Sequence, residues 1–240
     1  MSLDFVQIKH DVEDAINSLG KEFNNKKALI LTEDDLKCLI YKYLSDLPSL
    51  QQFQETIDKG IVGSMVHAEL PWFGHGDRLN IVPDLTIVDN SRLSILRGLY
   101  DPFRILKSSS FMLKNNKSRQ GIRHRKQEFM SPDLPSKQFE FGGEAIIFEL
   151  KFIRKPEGIN ESIFQRKIQA DFDKIKNLFS ILDSKGQGDE VFAYQIIFNK
   201  TNKTCRSFDN FIKDTEANDR IKVIYKSANI RMPTRNQRRR

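Results

Sequence analysis

The sequence predicts an α/β protein, and three features of the 240-residue chain support this fold class. Residues 5–44 carry apolar side chains at helical spacing, and residues 144–151 form a short, nearly continuous apolar run. A second helical stripe separates that run from another apolar segment at 191–198. Apolar runs of this length on either side of a helix are typical of strands buried in a sheet. The length suits one domain, or one domain with an insertion.

Residues 1–60 are expected to form an N-terminal helical layer. Apolar residues recur every three or four positions in three segments, at 5–19, 36–44 and 50–57. Gly20 and Gly60 are typical helix ends, and Thr32 with Asp35 three residues later is typical of a helix start. The sequence therefore predicts two amphipathic helices followed by a short third one that ends at Gly60.

The segment 64–200 is expected to be the core. Strands are predicted at 64–70, 78–88, 144–151, 191–198 and, beyond the core, 220–226, with a turn at 71–76. A long helix is predicted before the fourth strand by an apolar stripe of Phe164, Ile168, Phe172, Ile175, Phe179 and Leu182. A strand–helix–strand step places its two strands parallel. We expect a mixed central sheet of about five strands, flanked by helices.

The net charge of +7 is unevenly distributed. Pro102–Gln127 and Arg220–Arg240 each contain eight Lys or Arg residues and no acid, and the remaining body carries 23 basic against 32 acidic residues. Such segregation favours a polyanionic partner, with nucleic acid as the main candidate. The alternative is a solvated loop and a frayed basic tail.

No apolar run approaches the roughly 20 residues that span a bilayer, and no signal-peptide pattern opens the chain. The two cysteines, Cys38 and Cys205, form no CxxC motif. We therefore expect a cytoplasmic location without membrane attachment.

Two charged residues end the apolar run at 144–151. Because side chains alternate along a strand, Glu149 and Lys151 share one face and Leu150 points to the other. Buried charges cost several kcal/mol unless they are paired or hold an ion. Asp84, directly after Pro83, is a second acid inside an apolar run. Two carboxylates and the backbone carbonyl of Leu150 are ligands that suit Mg²⁺ or Mn²⁺.

Pro83-Asp84 followed by Glu149-Leu150-Lys151 resembles the motif of the PD-(D/E)xK nuclease superfamily, over roughly residues 30–200. The resemblance implies a restriction-endonuclease-like core and a metal-dependent nuclease, an endonuclease in our prediction. Asp84 and Glu149 would bind the metal, and Lys151 would position the attacking water. We expect DNA rather than RNA as the substrate, and a homodimer stays open because many members of the superfamily are dimers.

The resemblance also implies roles for residues around the motif. Glu33 corresponds to an acid of the leading helix that sometimes joins the metal site, and Glu69 to an additional acid of some members. The helix after the motif, here with Gln165 and Gln169, often directs a side chain towards the site.

The 65-residue separation of Asp84 from Glu149 is longer than is usual for the family and requires an insertion, about 100–143. The first basic segment lies in that insertion. We expect it to contact phosphates through Lys114, Lys117, Arg119, Arg123, Arg125 and Lys126.

Simpler interpretations stay open at every position. Asp84 also suits a strand-end turn, and Glu149 with Lys151 a surface ion pair. Glu33 also suits helix capping, and Gln165 and Gln169 suit ordinary exposed helix positions. At the level of function, the alternatives are a nuclease-like module that binds nucleic acid or a partner without cutting, and an unrelated α/β enzyme with a coincidental motif.

Overall fold

A computed structural model describes residues 4–26, 28–73, 79–94, 111–114, 138–141, 143–184 and 191–228. The tail and most of the first basic segment, including Lys117, Arg119, Arg123, Arg125 and Lys126, lie outside these residues, as does the side chain of Lys114. The predicted phosphate contacts therefore stay predictions. No helix in the described ranges is long and apolar enough to cross a membrane.

The expected mixed sheet of five strands is present. Its strand order is β12-β11-β10-β6-β3, formed by Ile221–Ser227, Val191–Asn199, Ala145–Ile153, Leu85–Val88 and Val66–Ala68 respectively. Strands β10, β11 and β12 are parallel, while β6 runs antiparallel to both β10 and β3. The parallel step from β10 to β11 confirms the prediction made from the intervening helix.

Helices cover both faces of this sheet. One apolar cluster joins the even-numbered residues of β10 to helices α1 (Phe5–Asn25) and α2 (Glu33–Ser45). The other joins the odd-numbered residues to α3 (Ala170–Ser184) and α4 (Arg206–Thr215). Successive residues of β10 thus pack into opposite layers, which is why the strand is apolar at every position except Glu149 and Lys151.

The two predicted N-terminal helices are confirmed, with a correction to the end of the first. Thr32 and Asp35 form the predicted capping box of α2. Helix α1, however, continues past Gly20 to Asn25. A side chain at Gly20 would begin 2.9 Å from Cδ of Lys226, so this glycine permits a close approach of β12 and does not end the helix.

The third predicted helix is wrong. Gln54–Glu55 (β1) and Val62–Gly63 (β2) form an antiparallel hairpin instead. Leu50 is buried, but Phe53 and Ile57 are exposed, so the three residues form no buried stripe. Gly60 has a φ of +82° in the turn between the two strands.

The segment around Pro83 also differs from the prediction. Trp72–Phe73 (β4) replaces part of the predicted turn at 71–76 and pairs with Leu79–Ile81 (β5). The predicted strand 78–88 is therefore two strands, β5 and β6, that belong to different sheets. Pro83 lies between them, as expected for a residue that donates no ladder hydrogen bond.

A further small sheet packs beside the core and contains parts of the predicted insertion. Its order is β7-β9-β8, formed by Leu93–Ser94, Gln138–Phe141 and Phe111–Lys114, with β9 antiparallel to both neighbours. Phe141 is buried and packs edge-on against the buried Trp72 at 6.5 Å between ring centroids. The base of the insertion is thereby joined to the main body.

The long helix after β10 is confirmed, and all six residues of its predicted stripe are buried. It begins with a helical turn, Glu161–Ile163, and passes through a π-helical segment, Phe164–Gln169, into α3. Helix α4 was not predicted. Only Phe208, Phe211 and Thr215 are buried on it, too few positions to stand out as a periodic pattern.

Gly158, in the loop after β10, is expected to be essential for stability. Its φ is +68°, and a Cβ there would collide with the backbone carbonyl oxygen of Lys203. We expect Gly158→Ala to lower the free energy of unfolding by about 3 kcal/mol or more, from backbone strain and overpacking together. Gly60→Ala is the matched control, because Gly60 also has positive φ but no atom within 4 Å of the added carbon. Equal losses in denaturant unfolding would contradict the packing argument.

Candidate active site

Asp84, the residue directly before β6, lies beside the middle of β10. Leu85 pairs in register with Phe148, so the residue before Leu85 lies next to Glu149. The Asp84 carboxylate is fixed there because Oδ2 accepts a hydrogen bond of 2.8 Å from the Leu150 amide nitrogen. Two acids separated by 65 positions in the sequence are thereby neighbours at two interior strands of the sheet.

Glu149 is 9 % exposed and is the most strongly perturbed acid of the site. Burial, followed by the charges of Asp84 and Asp171, raises the pKa of its carboxyl to about 8. Burial also raises the pKa of the Asp84 carboxyl, although the Leu150 amide and the Lys37 ammonium act in the opposite direction. A buried carboxyl whose ionisation is further disfavoured by neighbouring acids is typical of a site that a cation can complete.

The side chain opposite Glu149 is itself anchored. Glu149 pairs in register with Gln195 of β11, which is almost fully buried. Gln195 Nε2 donates a 2.7 Å hydrogen bond to the carbonyl oxygen of Ile168 in the π-helical segment. Within the described residues its Oε1 has no hydrogen-bond partner. The side chain next to Glu149 is therefore held by one hydrogen bond and still offers an acceptor.

Lys151 forms two ion pairs, and neither is with Glu149, its partner in the surface-pair interpretation. Its Nζ lies 3.0 Å from Asp171 Oδ2 and 3.3 Å from Glu33 Oε1. Burial alone would lower the pKa of Lys151, but the carboxylates of Asp171 and Glu33 outweigh it and the net pKa is raised. Lys151 is therefore an ammonium at neutral pH, a donor of hydrogen bonds with a positive charge.

Glu33 is one of the two carboxylates that contact Lys151, and it does not form the capping box of α2. Its Oε2 accepts a 3.1 Å hydrogen bond from the Phe152 amide nitrogen, while Asp35 forms the capping box of α2. The first turn of α2 is thus attached to the end of β10. In this position Glu33 Oε1 accepts a 3.3 Å hydrogen bond from Lys151 Nζ.

Lys37, one helical turn after Glu33, was missed from the sequence. Its Nζ lies 2.8 Å from Glu69 Oε1 and 3.6 Å from Asp84 Oδ1. The hydrogen bond to Glu69 raises the pKa of Lys37, with burial opposing it and Asp84 adding to it. The i, i+4 spacing of Glu33 and Lys37 was the available signal, because such residues share a helix face.

Glu69 and the two glutamines lie farther out. Glu69 is exposed, has a positive φ of 53°, and directs its carboxylate to Lys37, while its backbone amide donates a 3.2 Å hydrogen bond to the carbonyl oxygen of Asp84. Gln165 is exposed, and Gln169 donates to Asp173 on its own helix surface. The helix instead directs Asp171 to the site, with Lys174 Nζ 2.9 Å from Asp171 Oδ1.

The donor set suits a hard divalent cation. Within the described ranges, no group of three or more His, Cys, Asp or Glu side chains is already arranged as a metal site. The Asp84 and Glu149 carboxyls nevertheless interact, because burial first and then the charges of Asp84 and Asp171 raise the pKa of Glu149, and a cation would offset this negative charge. Carboxylate oxygens are the ligands that Mg²⁺ and Mn²⁺ prefer. The described contact to Leu150 is through its amide nitrogen, and its carbonyl as a ligand stays a prediction.

Comparison with family models, with curated proteins and with solved structures gives no match. The chemistry of this site therefore has to be argued from its own residues.

Proposed function

We propose that this protein is a metal-dependent nuclease that hydrolyses phosphodiester bonds in DNA, and that it cuts as an endonuclease. The observation that carries the proposal is the buried Glu149 carboxyl beside Asp84, with the Lys151 ammonium two residues further on the same strand face. The resemblance of these residues to the PD-(D/E)xK motif supports the same conclusion.

Asp84 and Glu149 would hold Mg²⁺ or Mn²⁺. When bound, the metal supplies an activated water and stabilises negative charge on a phosphate oxygen. Lys151 would orient that water and offset charge in the transition state, because an ammonium paired with two carboxylates donates hydrogen bonds and does not accept a proton. Asp171 and Glu33 keep the Lys151 side chain in place for this task.

The second candidate is a binding module that holds nucleic acid or a protein partner without cutting. The ion pairs of Lys37 with Asp84 and of Lys151 with Asp171 favour it, because they partly satisfy these carboxylates without a metal. The two candidates differ in metal dependence. Cleavage of plasmid and single-stranded DNA should require Mg²⁺ or Mn²⁺ and stop in EDTA, and salt-sensitive binding without cleavage would favour the module.

Lys151→Met is expected to abolish cleavage while DNA binding survives. Methionine keeps the volume of the buried stem but removes the ammonium, so the water and the developing charge lose their donor. We expect a loss of about 100-fold or more in kcat, the magnitude typical of a lost oxyanion donor. Lys155→Met, in the exposed loop after β10, is the matched control. Loss of binding as well would contradict the assigned role.

A further inference from the structure

A groove opens beside the candidate active site, between α2 and the edge strand β3. It has a volume of about 380 Å³. One wall is a single face of α2, with residues at i, i+3, i+4 and i+7: Asp34, Lys37, Cys38 and Tyr41. The other wall contains Ala68, Glu69 and Leu85. We call this feature the α2 groove.

The α2 groove begins where the candidate active site ends. Leu85, in its wall, directly follows Asp84 in the chain. Lys37, at its near end, lies 3.6 Å from the Asp84 carboxylate. Tyr41 is one helical turn farther from the site, about 6 Å along the axis of α2. A group bound in the groove would therefore be a direct neighbour of whatever is bound at Asp84.

The chemistry of the α2 groove suits an uncharged, flat ligand. Ala68 is apolar and exposed, Leu85 is apolar but has no exposed surface of its own, and Tyr41 is 37 % exposed, so part of an aromatic side chain is accessible. Its charged groups are two acids and one lysine, and that lysine already contacts Glu69 at 2.8 Å and Asp34 at 3.9 Å. A phosphate would meet net negative charge there, whereas a nucleobase would meet apolar surface and an aromatic ring.

We propose that the α2 groove binds the base of an unpaired nucleotide adjacent to the phosphodiester that is cut, with Tyr41 as its stacking partner. This inference rests on the proposed nuclease function. In a duplex the bases are paired and stacked and do not reach such a groove without being extruded. The substrate class is therefore single-stranded DNA, or DNA with an unpaired nucleotide at the cut.

Binding tests the proposal without cleavage. The full chain carrying Glu149→Gln is mixed in EDTA with a single-stranded oligonucleotide that contains 2-aminopurine, whose fluorescence falls when it stacks. Adding Tyr41→Ala should remove the base-dependent quenching and weaken binding on the order of 10- to 100-fold, the range of one stacked base. Tyr41→Phe should retain both, because the ring is kept. Phe53→Ala removes another exposed aromatic outside the groove and should change neither.

A cleavage experiment separates this inference from the function on which it rests. An abasic nucleotide is moved along a single-stranded substrate of the wild-type protein. At one position next to the cut it should slow cleavage as much as Tyr41→Ala does, and the two changes together should cost no more than either alone. Additive losses, or quenching that Tyr41→Ala leaves intact, would overturn the groove proposal. Base-dependent quenching without any cleavage would support the groove and count against the nuclease alone.

Discussion

Glu149→Gln is expected to abolish metal-dependent cleavage while leaving the fold intact. Glutamine has the same shape as glutamic acid, and the Glu149 carboxyl is protonated and uncharged over much of the neutral range in the absence of metal. The substitution therefore removes a metal ligand without leaving a new cavity or a new buried charge. We expect a larger loss of activity than the roughly 10- to 100-fold that removal of an outer-shell partner of a metal ligand costs.

Glu157→Gln makes the same chemical change in the exposed loop after β10 and should leave cleavage unchanged. The measurement is the initial rate of plasmid and single-stranded DNA cleavage in Mg²⁺ and in Mn²⁺, with circular dichroism to compare the folds. Full activity of Glu149→Gln would remove Glu149 from the site. It would leave Asp84 without the partner that the proposed function requires.

The backbone of the site was predictable because it depends on local pattern. The continuous apolar run into Glu149 and Lys151 predicts a strand buried on both faces, and the residues of β10 do alternate between two apolar clusters. The position of Asp84 after Pro83 was likewise visible, since proline ends strand pairing. Both features can be predicted from the periodicity of the apolar residues and from the backbone preferences of single residues.

Asp171 and Lys37 were not predictable in the same way, whereas Glu33, the other partner of Lys151, was already a candidate from the sequence. Asp171 on the helix after β10 and Lys37 on α2 reach the site because their helices pack on opposite faces of the sheet. The spacing of residues along one helix or strand does not show which residues of another element lie near it. The failed helix at 50–60 has a related cause. Three apolar residues at helical spacing predicted it, but Phe53 and Ile57 are exposed and only tertiary structure decides that.

Stability of the metal-free protein is expected to fall as the pH rises from about 4.5 to about 8. The pKa of Glu149 is raised from 4.5 to about 8 in the folded state. Between these values the folded protein holds a proton that the unfolded chain has released, so raising the pH favours unfolding. The full effect of this one group is on the order of several kcal/mol. Denaturant unfolding in EDTA across this pH range measures it.

Glu149→Gln isolates the contribution of this carboxyl. Because glutamine does not titrate, the variant should lose most of the decline and become more stable than the wild-type protein above about pH 8, whereas Glu157→Gln should retain the decline. A variant whose stability falls as steeply as that of the wild type would place the titrating group elsewhere.

The same proton links stability to metal binding. A metal ligand must be deprotonated, so Mg²⁺ bound by Glu149 has to displace the proton that the metal-free site holds at neutral pH. Metal binding should therefore release a proton below about pH 8, and its affinity should rise with pH through this range. Calorimetric titrations of Mg²⁺ in buffers with different ionisation enthalpies measure that release. Metal binding without proton release at pH 6.5, in a protein whose stability still shows the Glu149 titration, would mean that the ion is held by other residues.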